Sequence, residues 1–166
     1  MLVIFVKMYN MIRCIADLTE KQRNAVFSDS MITDFDESLS FAIIKGEDVL
    51  GYVLLKAYSI DESLNIEHRP SFPISQFACE ILRIRPLVGE NDTDITLSLL
   101  KTTLNRVEMW YNKDNEYFKY LWGVFSQEGD AHFFADTMNC DISRCLLGAD
   151  AMKFIIFREL DNDMCG

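Results

Sequence analysis

The stretch "FACEILRIRPLVGENDTDITLSLLKTTLNRVEMW", Phe77 to Trp110, limits the possible folds more than any other part of the chain. Its first ten residues read as an apolar strand that ends at Pro86. After a turn, Ile95, Leu99, Leu100, Leu104 and Val107 recur at helical spacing, which predicts a helix to about Trp110. "YFKYLWGVFS" then reads as another strand. A long helix crossing between two adjacent strands sets its N-terminus at the carboxyl edge of the sheet, a ready anion site. The turn before it holds Gly89, but also Glu90, Asp92 and Asp94.

Those acids admit two readings. A carboxylate about 6 Å from a phosphate charge opposes it by roughly 2–3 kcal/mol at an effective dielectric near 20. Alternatively Asp92 or Thr93 caps the helix, and Asp94 offsets the helix dipole by about 0.3–1 kcal/mol. On this second reading, which we expect, the helix start supplies its own anions.

Around this unit the pattern is regular. "MIRCIAD" reads as a strand and "LTEKQRNAVFSDSM" as a helix. Leu39 to Ile44 and Val49 to Ala57 flank a turn at Gly46, Glu47 and Asp48, which predicts a β-hairpin. "IDESLNIEHRPSFPISQ" reads as a surface loop long enough to bind something. "GDAHFFADTMNC" reads as a short helix and "DAMKFIIFREL" as a final strand. The expected fold class is mixed α/β, a mostly antiparallel sheet flanked by helices. Residues 1–10 read as an extension or extra edge strand, 11–160 as one domain, and 161–166 as a fraying tail.

Composition narrows the function classes. A net charge of −10 argues against nucleic acid or an anionic membrane as the main partner. "MLVIFVKMYN" is too short to span a bilayer and lacks a cleavage signal. Five cysteines without a CxxC pair fit a reducing, cytoplasmic setting. Two histidines leave little for a histidine-based metal site. His132 and Cys140, eight residues apart on one segment, make no catalytic triad.

The element order, with these local strings, resembles the GNAT superfamily of acetyl-CoA-dependent N-acetyltransferases from Met11 to about Leu160. "MIRCIAD" is similar to the family's opening, and "FAIIKGEDVLGYVLLK" to its second and third strands. "ILRIRPLVGENDTDITLSLL" is similar to its strand, proline, loop and Leu-Leu helix. Ala131, Phe134 and Asp136 fall in register with a later family motif. Asn139 stands where that motif has glycine and can adopt the same left-handed conformation.

The resemblance implies a GNAT-like fold, acetyl-CoA as coenzyme, and an amine as acceptor. It implies Glu80 as catalytic base, its pKa raised by partial burial. It places the coenzyme against Ile84, Gly89, Asn91, Asp94 and Thr96. Backbone donors on the fourth strand would polarise the thioester carbonyl. The family's pyrophosphate loop carries glycines where this chain has Asp94 and Thr96, and Ala135 stands where a tyrosine acid is usual. Three functions follow as expectations. The first is N-acetyl transfer to an amine substrate or basic protein. The second is a catalytically degenerate binding or structural module, of the kind phages and mobile elements encode. The third is an altered loop that takes another acyl carrier. An apolar first ten residues would also suit a homodimer.

Overall fold

A computed structural model describes residues 10–58, 78–87, 92–110, 117–147 and 151–160. Strand β1 (Met11–Cys14) leads through a 3-10 turn (Ile15–Asp17) into helix α1 (Glu20–Ser30). The hairpin β2 (Phe41–Lys45) and β3 (Asp48–Tyr58) follows, then β4 (Ala78–Pro86) and the long helix α2 (Asp92–Met109). Strand β5 (Tyr120–Phe125), helix α3 (Glu128–Met138), β6 (Asp141–Leu147) and β7 (Ala151–Glu159) complete the described order. The sheet runs β1-β2-β3-β4-β5-β7-β6. Of its pairings only β4 with β5 is parallel, as the α2 crossover between them requires.

Most expected elements stand within a few residues of where the pattern puts them. The first strand is shorter than expected, because Ile15–Asp17 tighten into the 3-10 turn before α1. Strand β6 is a correction: its sequence, "DISRCLL", has no clean alternation and was not read as a strand. Pairing with β7 along the whole length of β6 makes it one, from Asp141↔Phe157 to Leu147↔Ala151. The loop between β3 and β4, residues 1–9, and the tail 161–166 lie outside the described residues.

Helices cover both faces of the sheet. Helix α1 packs Val26 with Ile15 and Leu18 against Ala42, Ile44, Tyr52 and Leu54. Thr19 starts it with a capping box, in which Gln22 N–H donates to Thr19 Oγ1 at 3.2 Å and Thr19 N–H donates to Gln22 Oε1 at 3.0 Å. The larger core lies on the opposite face, where Leu99, Leu100 and Phe134 meet Phe41, Val53 and Leu121. Gly51 lets α2 lie close on β3: a Cβ there would come 3.0 Å from both Ile95 Cγ2 and Leu99 Cδ1.

One irregularity sets up the site. Leu54 pairs with Arg83 but Leu55 pairs with Ile81, so Leu82 is an extra residue in β4. Side chains alternate faces along a strand, and one inserted residue reverses the alternation beyond it. Glu80 and Arg83, opposite Lys56 and Leu54, therefore share a face.

Candidate active site

Strands β4 and β5 are paired only from Ala78↔Tyr120 to Ile81↔Gly123. Gly123 closes the last pair, and a Cβ on it would sit 3.3 Å from the Ile81 carbonyl oxygen. Beyond this point β4 continues to Pro86 and β5 to Phe125, and the two part. The bulge at Leu82 begins at the same place. Parting leaves a cleft of about 690 Å³, walled by β4 from Ile81 to Pro86, by Thr93 and Thr96 of α2, and by Phe125 and Asp130. The β4 backbone groups facing β5 there have no ladder partner, and the first turn of α2 offers N–H groups without intrahelical acceptors.

The expected coenzyme residues divide. Ile84 and Thr96 both line the cleft, Thr96 buried. Asp94 does not; it borders a shallow depression with Ser98 and Lys101 on the outer side of α2. Thr93 and Thr96 are one turn apart and share a helix face, while each residue step rotates the side chain by roughly 100°. The Asp94 carboxylate thus leaves the doorway. Helix α2 begins at Asp92, so Thr93 stands inside its first turn rather than at its cap. Gly89, Glu90 and Asn91 lie outside the described residues, as does the Asp92 side chain.

Glu80 stands one residue before Ile81, where the cleft lining begins, on the sheet face opposite α2. Its carboxylate Oε2 accepts a hydrogen bond from the Tyr58 hydroxyl at 2.6 Å. Burial pushes its pKa above the ordinary carboxylate value, while Tyr58 and the nearby Lys56 ammonium pull it back. Lys56 is itself paired with Asp34 at 2.5 Å. Trp122 is the cross-strand partner of Glu80. Its ring lies 6.4 Å from that of Tyr58, and its buried Nε1 has no hydrogen-bond partner among the described residues.

A basic group adjoins them. Arg83 and Arg85 line the cleft. Tyr52 donates to Asp29 at 2.5 Å, Arg85 Nε donates to Asp29 at 2.9 Å, and the Arg83 guanidinium lies near the Tyr52 phenol. Burial and the Asp29 carboxylate push the Tyr52 phenol well above its usual range. Arg83 Nε is buried and has no partner among the described residues. Reading the sequence missed Arg83, Arg85, Tyr58 and Trp122. The available signal was "LRIRP", two arginines in an apolar strand of an acidic chain.

Other candidates close. Burial pushes the Cys140 thiol up to about 11, and its Sγ faces the Met138 carbonyl at 3.8 Å. His132 lies 3.5 Å from Glu128, one turn back on its own helix. Ala135, where the resemblance implies a tyrosine, is buried in the core, so that position supplies no phenol. No cluster of potential metal ligands occurs among the described residues. No described helix is long and apolar enough to cross a membrane.

No protein-family model matches the chain, and no curated protein matches it in sequence. Solved structures do match in fold. Arabidopsis thaliana NAA60 in complex with acetyl-CoA superposes with a TM-score of 0.59 at 13% identity, covering 92% of this chain and 100% of that one. This chain has the GNAT acetyltransferase fold. A mosquito arylalkylamine N-acetyltransferase (like 5b) gives 0.59 at 7% identity, covering 92% and 100% of the two chains. The Bacillus subtilis N-acetyltransferase YlbP in complex with coenzyme A gives 0.51 at 11% identity, covering 91% and 97%. Within that GNAT fold, the parted strands and the Leu82 bulge are the features that open the cleft.

Proposed function

We propose that this chain is an acyl-CoA-dependent N-acyltransferase, transferring an acetyl group to an amine. One observation carries the reading: a cleft opens between parting strands just beyond a half-buried carboxylate, Glu80. The NAA60 and YlbP structures were solved with acetyl-CoA and with coenzyme A, which supports an acyl-CoA ligand here.

The residues present fit such a ligand. Free N–H and C=O groups along β4, beyond Ile81 and including Ile84, suit the amides of a pantetheine arm. The N-terminal turn of α2, with Thr93 and Thr96, suits phosphate oxygens, and Asp94 does not oppose them in the cleft. Acetyl-CoA would supply the acetyl thioester. Glu80 would take the proton from the acceptor's ammonium, directly or through one water, so that a neutral amine can attack. A carboxyl with a raised pKa is the better base for this near neutral pH. With the amine neutral, the new amide bond would form as the carbon–sulfur bond breaks, and coenzyme A would leave as a thiol carrying the proton that the attacking nitrogen gives up. The β4 N–H groups serve to hold the carbonyl oxygen where charge develops.

Thermal unfolding with and without acetyl-CoA tests the reading. At 100 times its Kd the ligand should stabilise the protein by about 2.7 kcal/mol, a shift of several degrees. Glu80→Gln should keep that shift and lose roughly a hundredfold or more in turnover. A protein indifferent to acetyl-CoA would instead be the degenerate module.

A further inference from the structure

Two buried side-chain donors among the described residues, Arg83 Nε and Trp122 Nε1, have no acceptor. Both stand beside Glu80. Trp122 is its cross-strand partner on β5, roughly 5 Å away by strand spacing. Arg83 is brought to the same face by the Leu82 bulge. Its partner Leu54 is two positions from Lys56, the partner of Glu80, so Arg83 takes the next place along that face, roughly 7 Å on. Without the bulge, residue 83 would point to the opposite side.

A buried donor without a partner forfeits the hydrogen bond it made with water, and a charged donor forfeits more. Two of them flanking one carboxylate point to a ligand that brings oxygen acceptors. Building on the acyltransferase reading, we propose that Arg83 and Trp122 receive a carboxylate on the acceptor substrate while Glu80 receives its amine. The acceptor class is then a free amino acid or similar amino carboxylate, rather than a simple amine. A carboxylate suits the pair better than a neutral carbonyl, because a guanidinium bond to an anion is roughly twice as strong. The chain also places Arg83 and Arg85 together at this cleft despite its net charge of −10.

The test compares matched acceptors on the full chain with acetyl-CoA: phenylalanine against phenethylamine, histidine against histamine, and a C-terminally amidated tripeptide. The readout is the ratio of kcat/KM values. Amino acids should exceed their decarboxylated partners by roughly tenfold to a hundredfold. Arg83→Met should collapse that ratio toward one. Trp122→Phe, which keeps a six-membered aromatic ring and removes the pyrrole ring with its N–H, should lower the ratio while sparing the Arg83–Tyr52 contact. Equal use of both members of each pair, or preference for the amine or the peptide, overturns the assignment and leaves the acyltransferase reading standing.

Should no acceptor turn over, amino-acid binding decides separately. A rise in Tm with phenylalanine or histidine that Trp122→Phe diminishes supports the carboxylate site. No rise with either overturns it.

Discussion

Glu80 is the residue whose environment most affects both stability and chemistry. Burial holds its proton to higher pH in the folded chain than in the unfolded one, whose carboxyl has the ordinary value of 4.5. Between those two values the folded state binds more protons, so its stability falls as pH rises through the window. Glu80→Gln lacks this dependence. Its stability relative to wild type should therefore increase from about pH 4.5 upward and level off above the raised pKa, measured by urea unfolding at several pH values. A pH-independent difference would remove the buried-carboxylate account. Tyr58→Phe deletes the bond that favours the ionised form. It should move the acid limb of the pH–rate profile to higher pH, and an unmoved limb would separate Glu80 from the rate. The sequence placed Glu80 correctly on a strand between Cys79 and Ile81, because the run there is apolar and bounded by Pro86. It could not place Arg83, because a bulge leaves no mark in residue type that separates Leu82 from its neighbours.

Helix ends show the same division among the elements. Asn139 ends α3 with φ 55° and ψ 51°, as the register with a family glycine suggested. Asparagine tolerates the left-handed region because its short polar side chain bonds locally. Met31 ends α1 with φ 58°, and nothing about methionine announces it. Its side chain is 82% exposed, so replacing it removes little packing. An L-residue in this conformation costs roughly 1–2 kcal/mol. Met31→Gly should raise stability by about 1 kcal/mol after the entropy of ordering glycine, seen as a higher urea midpoint. An unchanged or lower midpoint would mean that Met31 is not strained. The acidic turn resolves at this scale too. Helical rotation carries Asp94 to the outer side and leaves Thr93 and Thr96 facing the cleft. A dipole-compensating acid and an anion-binding helix start can therefore coexist.

At the scale of the whole molecule, one sheet carries a core on each face. Leu99 lies fully buried in the larger core, beside Gly51, which lets α2 lie close on the sheet. Leu99→Ala should cost about 3–5 kcal/mol in chemical denaturation, and a loss below about 1 kcal/mol would show that α2 is loosely held. Because α2 also forms a wall of the cleft, the same variant should weaken acetyl-CoA binding. Apart from β6, the linear order of elements, with the hairpin and the long crossover helix, was legible from the residues, and the GNAT-like fold from the resemblance of those strings to the family. Hydrophobic period and turn chemistry are local properties that each segment carries with it. The short strand β6, the parting of β4 from β5, and the meeting of Glu80, Arg83 and Trp122 were settled only by tertiary structure. Each depends on which backbone groups find partners across the sheet, and a one-residue shift in that pairing decides which side of the sheet every later side chain faces.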